Sequence, residues 1–340
     1  VAADRRVASI RDVARRANVS ISTVSRVISR KIPVDEETQA RVRKAIKELK
    51  YKPNLVASGL RSKSAKSIGL LVPRISDPFF SSLIDHVDRT AISQGYNLLL
   101  FNTHSDPAFE EQVVDNLLRR HVDGIIFSMV SDESRAMELL TDVGVPVVMF
   151  DRVRPGSRHM NLVIDNRKAG EIAADHLLGL GHRSFACLTG PLTISLCADR
   201  LAGFSERLER SGHPLGTGGV LRGDFSFESG AAAAEMMLRS IHPPTAVWAQ
   251  NDLMAAGLIK GLARTGVRVP EQVSVMGMDG LIVPEIVTPA LTTITQPVEE
   301  MARRAVEMIL EAKNTAVPPG EVVLQPRLMV RDSTTRCPNP

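Results

Sequence analysis

The sequence predicts an α/β protein in two parts: an N-terminal helix-turn-helix domain with a hinge helix, then a two-lobed, doubly wound α/β domain. Three observations carry this. Apolar residues recur at helical spacing through the first fifty positions. From Ile68 onward, short apolar runs alternate with helical stretches. That alternation forms two successive series, and 340 residues exceed what one small core accommodates.

The elements follow in order. Ser9 with Asp12 forms a capping box for a first helix whose apolar face is Val13, Ala14 and Ala17. Asn18 to Ser20 is a tight turn, and Ser20 caps a second helix that turns Val24, Val27 and Ile28 inward. A third helix runs from Asp35 to Lys50 on Val42, Ala45, Ile46 and Leu49. Pro53 suits the start of a short helix, which Gly59 keeps marginal. Residues 61–67 are small and polar, as in a linker. Strands are expected at 68–72, 96–101, 124–127 and 145–150, and a second series at 185–188, 246–249 and 274–278. In such parallel sheets ligands bind beyond the carboxyl ends of the strands, so two facing lobes make a cleft.

Charge is divided unevenly. Residues 1–66 carry 17 Lys/Arg against 6 Asp/Glu, while the rest carries 25 against 32. A basic arm on an acidic body implies a polyanion held at one end. Double-stranded DNA fits, because the second helix has the build of a recognition helix. Ile21 can pack on a thymine methyl, Ser22 can donate or accept, and Arg26 can pair with guanine. Ser20, Thr23 and Ser25, with Asn18, suit phosphate contacts that fix register.

Several classes are excluded. Cys187, Cys197 and Cys337 show no zinc spacing or disulfide framework, so no metal is expected and a reducing cytoplasm suits them. The N-terminal stretch has no signal-peptide core, and no run approaches the ~18 apolar residues of a membrane span, so no membrane partner is expected. Gly216 to Gly219 lacks the spacing of a dinucleotide fingerprint, and there is no GxSxG, Walker or HExxH motif. Neither a cofactor nor catalysis is expected.

The strings VARRANVSISTVSRVI (13–28), AIKELKYKPN (45–54), ASGLR (57–61) and SIGLLVP (67–73) together resemble the LacI/GalR family of transcriptional regulators. The resemblance spans essentially the whole chain. It implies that residues 54–61 form a hinge helix that folds on DNA, paired across a dimer axis. Asn54, Ala57, Leu60 and Arg61 would then contact the minor groove, with Leu60 as an apolar wedge at the centre of a palindrome. A homodimer follows from that symmetry; heptads that would support a tetramer are missing after Val330.

The second part resembles periplasmic sugar-binding proteins of the ribose type. The matching pieces are DPFF (77–80), DR (151–152), DRLAGF (199–204), GDF (223–225), AQND (249–252), GMDG (277–280) and TQP (295–297). The resemblance implies a small neutral monosaccharide, with ribose the closest fit. Phe79, Phe80 and Phe225 would cover the faces of the ring. Asp77, Asp151, Arg152, Arg200, Asn251, Asp279 and Gln296 would bond its hydroxyls. Asp77 stands where the ribose-type motif has Asn, which leaves the sugar open. Residues 193–196 lack the Arg and Thr of purine-type members, which disfavours a purine; a nucleoside stays open through Leu192, Ile194 and Leu196. Arg200, Asn251 and Asp279 also suit purely structural ion-pair or capping roles. Trp248, three residues before Asn251, is expected near the cleft.

The expected domains are 1–53 for DNA binding, 54–67 for the hinge and linker, and 68–340 for the effector. Within the last, one lobe takes about 68–165 and 297–326, the other 166–296 and 327–340. Leu60→Ala is expected to weaken operator binding in a gel-shift titration while sugar affinity holds; unchanged operator affinity would remove Leu60 from the DNA contact.

Overall fold

The computed structural model describes residues 8–29, 33–51, 65–132, 134–141, 144–154, 156–239, 243–314 and 320–337. The expected hinge residues Asn54, Ala57, Leu60 and Arg61 lie outside the described residues. The chain divides into two units, Val1–Ala65 and Lys66–Pro340.

The first unit contains α1 (Ile10–Ala17), α2 (Ile21–Ser29) and α3 (Glu36–Glu48). Each start is set by a short polar side chain that takes up an otherwise unpaired N–H. Ser9 and Asp12 form a reciprocal capping box, Ser20 Oγ accepts the Thr23 N–H at 3.1 Å, and Asp35 accepts the Thr38 N–H at 2.8 Å. Asn18 ends α1 in the left-handed region at φ 54°, a conformation its polar side chain tolerates. Val13, Ala14, Ala17, Val24, Val27, Val42 and Ala45 form the small core.

The second unit holds two six-stranded sheets. One orders β11 (Glu321–Leu324), β5 (Met160–Ile164), β4 (Val147–Phe150), β3 (Gly124–Phe127), β1 (Ser67–Val72) and β2 (Asn97–Asn102). The other orders β12 (Arg327–Met329), β10 (Thr292–Thr295), β9 (Ser274–Asp279), β8 (Ala246–Ala249), β6 (Phe185–Thr189) and β7 (Val220–Arg222). Neighbours run parallel except β12, which is antiparallel to β10. The chain passes between the sheets after β5, after β10 and between β11 and β12. Each sheet therefore anchors one lobe, and the carboxyl ends of both face a common cleft.

Five strands go beyond the sequence expectation: β5, β7, β10, β11 and β12. Their sequences explain this. Asn161 interrupts β5, β7 and β12 have three residues each, β10 reads Thr-Thr-Ile-Thr, and β11 is a half-exposed edge. Burial of Thr292 and Thr293 in β10 is a tertiary outcome that no apolar run announces.

The helices of this unit are α4 (Pro78–Ser93), α5 (Pro107–Leu118), α6 (Ala136–Leu140), α7 (Asn166–Gly179), α8 (Ser195–Arg210), α9 (Phe227–Leu238), α10 (Asp252–Arg264), α11 (Val283–Ile286) and α12 (Val298–Asn314). Helix α8 starts at Ser195, so Arg200 sits in its second turn. There α7 and α8 touch backbone to backbone. A Cβ on Gly170 would strike the Arg200 carbonyl and the Phe204 nitrogen, and one on Gly203 would strike the Arg167 carbonyl. Overpacking of this kind destabilises by about 1–3 kcal/mol or more. Gly170→Ala is expected to lower stability by that amount in urea denaturation. It should also displace Arg200; an unaltered midpoint would show that the two helices separate freely.

Candidate functional site

Two surfaces carry the predicted residues, one in each unit. On the first, α2 presents Ile21 at 40 % exposure, an apolar side chain left on the surface beside exposed Ser22 and Arg26. Thr23 and Ser25 are half-buried on the same helix. Ser20 is exposed, but its hydroxyl already caps α2 and lies 2.7 Å from Ser22 Oγ and 2.8 Å from Thr23 Oγ1. Its first role is thus to start the helix.

On the second, all ten predicted effector residues line one cavity between the lobes. Asp77, Phe79, Phe80, Asp151 and Arg152 come from one lobe. Arg200, Phe225, Asn251, Asp279 and Gln296 come from the other. Leu196 completes the wall. Apart from Arg200, in the second turn of α8, the residues lie at or just beyond strand ends or at helix starts. Asp151 follows β4, Asp279 ends β9, Asn251 follows β8 and Gln296 follows β10. The space among them is about 20 Å³, room for a water or two, so the lobes are drawn in over the site. A sugar ring is several times larger and enters only if the lobes part or the wall side chains turn.

Three cavity residues have strained backbone. Asp151 at φ 59°, Phe225 at φ 69° and Asp279 at φ 123° are non-glycine residues in the left-handed region. Such conformations are held only where surrounding structure over-determines them. Gly190 makes room for Phe225, since a Cβ there would run into its ring.

Most of the polar groups have defined partners. Arg200 donates from Nε to Asn166 Oδ1 at 2.8 Å and from Nη1 to the Gln250 carbonyl at 2.9 Å. Arg152 donates to the Val130 carbonyl at 3.3 Å, and its guanidinium lies 5.5 Å from the Phe80 ring centre and 5.3 Å from that of Phe225. The two rings expected to sandwich a sugar therefore sandwich a guanidinium, while Phe79 packs edge-on against Phe80. Asp77 caps α4 through the Phe79 N–H at 2.9 Å. Asn251 caps α10 through the Met254 N–H at 2.9 Å and donates to the Phe225 carbonyl at 3.0 Å. The capping role expected as an alternative for Asn251 is thus real, and it coexists with a place in the wall.

Asp279 accepts from Gln296 Nε2 at 2.8 Å, and Gln296 Oε1 has no partner among the described residues although it is buried. A buried acceptor that no protein donor reaches is a ready seat for a hydroxyl. Burial raises the carboxyls of Asp77 and Asp151, against the pull of nearby Arg152 and, for Asp151, of Arg200. Asp279 stands well above the ordinary range because of burial and the neighbouring carboxylates Asp252 and Asp77. Three carboxyls, each favoured in its uncharged form by burial, thus face the Arg152 and Arg200 guanidinium groups, a mixture suited to a neutral ligand.

Sequence reasoning missed the residues that hold these groups in place. Asn166 and Gln250 fix Arg200. Asp252, its carboxyl pushed up to about 7 chiefly by burial, accepts from the Gly280 N–H at 2.8 Å and the Thr293 hydroxyl at 2.6 Å, and so fixes the turn after Asp279. The only available signal was its place beside Asn251. Trp248 lies in the core against Phe204 at 5.3 Å, with Nε1 bonded to the Gly277 carbonyl, and does not line the cavity as expected.

A direct tie also joins the lobes. Asp132 accepts from the Ser195 N–H at 3.0 Å, and Ser195 Oγ donates to the Val153 carbonyl at 3.1 Å. Arg154 Nε supports Asp132 through its carbonyl at 3.0 Å. Among the described residues no cluster of His, Cys, Asp and Glu could hold a metal ion, and no helix is long and apolar enough to cross a membrane.

Residues 9–54 match the bacterial regulatory proteins of the lacI family, and residues 174–334 a periplasmic binding protein-like domain. The repressor PurR of Aliivibrio salmonicida is 36 % identical over 90 % of this chain and 92 % of its own. The chain belongs to the lacI family. It is a DNA-binding transcriptional regulator. Among solved lacI-family and related structures, the lac repressor dimer bound to operator and the anti-inducer ONPF is 28 % identical, with TM-score 0.87, over 97 % of this chain and 100 % of that one. The regulator CelR in complex with cellobiose is 30 % identical, with TM-score 0.74, over 96 % and 99 %. A family member from Enterococcus faecium with bound ribose is 30 % identical, with TM-score 0.72, over 79 % and 99 %.

One buried group gives this lacI-family site a pH dependence. Glu110 on α5 accepts from the Val130 N–H at 2.8 Å and from the Ser134 hydroxyl, and so steadies Val130, whose carbonyl holds Arg152. Burial raises its carboxyl to about 7. A raised carboxyl stabilises the fold fully below its unfolded pKa near 4.5, and that contribution is lost as pH rises through about 7. Glu110→Gln is expected to remove this slope, the wild type losing on the order of 3 kcal/mol relative to the variant between pH 4.5 and 8. Denaturation at both pH values reads it out; parallel profiles would show that Glu110 ionises freely.

Proposed function

We propose that this protein is a cytoplasmic, homodimeric repressor that binds a palindromic operator and changes its affinity when a small neutral monosaccharide, ribose-like, closes between its lobes. The convergence of Asp151, Arg152, Arg200, Asn251, Asp279 and Gln296 on one cavity of balanced charge carries this reading. Each hydroxyl of a sugar both donates and accepts, and the cavity offers both with the unpaired Gln296 Oε1 among them. The ribose held by the Enterococcus faecium relative supports the choice of sugar.

The control is a difference in affinity between two arrangements of the lobes. A sugar stabilises whichever arrangement it binds better, and no other. In this reading the sugar favours closure, closure separates the hinge segments at 54–61 within the dimer, and the operator is released. Ile21, Ser22 and Arg26 read bases in the major groove, while Thr23, Ser25 and Ser20 hold phosphates. Asn54, Ala57, Leu60 and Arg61 work in the minor groove.

Two variants separate the halves. Arg26→Ala is expected to weaken operator binding about 10- to 100-fold, the value of a bidentate guanine contact, without affecting sugar binding. Gln296→Ala is expected to weaken sugar binding about tenfold and to leave sugar-free operator binding intact. Fluorescence anisotropy on labelled operator, with calorimetric titration of ribose and other neutral sugars, measures both. A response confined to nucleosides or sugar phosphates would overturn the sugar assignment and leave the DNA reading standing.

A further inference from the structure

The chain enters the second unit at Lys66, and its path there is tightly held. Lys66 has φ 50°, a left-handed backbone that a lysine keeps only where its surroundings hold it. The Lys66 carbonyl accepts the Asn97 N–H at 2.8 Å. Its ammonium lies 4.3 Å from the centre of the Tyr96 ring. The next residue, Ser67, opens β1. Its carbonyl accepts the Asp123 N–H at 2.8 Å, and its own N–H donates to Asp123 Oδ2 at 3.2 Å.

Asp123 is held from behind in turn. Its side chain is only 3 % exposed and pairs with Lys313 Nζ at 2.5 Å. The same ammonium donates to the Tyr96 hydroxyl at 3.2 Å. Tyr96 precedes β2, Asp123 precedes β3, and Lys313 lies in the last turn of α12. Four elements therefore converge on the start of β1, at the amino ends of the strands, while the cavity lies at the carboxyl ends. Helix α12 starts two residues after Gln296, and a rise of 1.5 Å per residue carries Lys313 roughly 22 Å from that start. The cluster is thus remote from any ligand in the cavity.

Stability alone does not call for this pair, since apolar residues of similar volume often hold a fold as well as a buried ion pair does. What the pair adds is a fixed geometry at the point where the linker leaves. We propose that Asp123, Lys313 and Tyr96 are positioning residues for operator recognition: they set the direction of the linker, so that the hinge segments of a dimer meet at the operator centre. The proposal rests on the homodimeric operator reading above and is independent of the sugar assignment. With the root displaced, each helix-turn-helix domain still binds DNA through its charge, but two of them no longer share one palindrome. The loss falls on specific binding.

The test is fluorescence anisotropy of the full chain, at one salt concentration, on two labelled duplexes of equal length. One is a site that the wild type selects from a random-sequence pool; the other is an unselected sequence. Lys313→Met is expected to weaken binding to the selected site at least about tenfold and to leave the unselected duplex within about twofold. Lys313→Arg, which keeps the charge and the donors, is expected to stay within about threefold on both. Tyr96→Phe removes only the hydroxyl that accepts from Lys313; it is expected to cost about threefold on the selected site alone, and carries the test if Lys313→Met does not fold. Equal losses on the two duplexes would make the cluster a support of the fold or a phosphate contact, and overturn the proposal. Unchanged binding of both variants to the selected site overturns it as well. A wild type that enriches no sequence, or that sediments as a monomer on its site, overturns the operator reading and this proposal with it.

Discussion

Two guanidinium groups, Arg152 and Arg200, are withdrawn from water where the two sheets face each other, and this constraint organises the effector unit. A buried cation is tolerated only when its donors and its charge are both answered. Arg200 finds acceptors at Asn166 and Gln250, and Arg152 finds the Val130 carbonyl and two aromatic faces. Their charge is answered by Asp151 and Asp77 in one lobe and Asp279 in the other. These three carboxyls and two guanidinium groups meet only when both lobes contribute, so the electrostatics of the cavity and the position of the lobes are one property.

The wall is also built economically from helix starts. Asp77 begins α4 and Asn251 begins α10 while both face the cavity. A side chain already fixed by capping loses little freedom when a ligand arrives, which preorganises the site. It also explains why the capping and ligand-binding interpretations of Asn251 are compatible: its Oδ1 takes the cap, its Nδ2 reaches Phe225, and the same amide still lines the cavity.

Much of this was legible before any coordinate. The small helical unit follows from Ser9, Ser20 and Asp35 as caps and from apolar spacing, both local signals. Strands such as β1, β3 and β8 read as unbroken apolar runs because they are buried on both faces. Strand β10 did not, since buried threonines carry a polar signature. The ten cavity residues were legible because they occur in short motifs shared with ribose-type sugar-binding proteins. Their supports were not. Glu110 reaches Ser134, Asn166 reaches Arg200 and Asp252 reaches Thr293, pairings across tens of residues that only the fold defines. The left-handed backbone at Asp151, Phe225 and Asp279 and the capture of the Phe80 and Phe225 faces by Arg152 are likewise tertiary facts. Trp248 follows the same logic: three residues from Asn251 along the chain, it belongs to the layer beneath.

The contact of Asp132 with the start of α8 has a further consequence. It joins the lobes through protein atoms alone, so closure has a stability of its own before any small molecule contributes. Apparent affinity is intrinsic affinity scaled by the fraction of molecules already in the competent arrangement. The concentration at which the regulator responds is therefore adjustable at Asp132 and Ser195, outside the cavity. Sensitivity and chemical selectivity are encoded by different residues, and a lineage of such proteins can retune the one while inheriting the other unchanged.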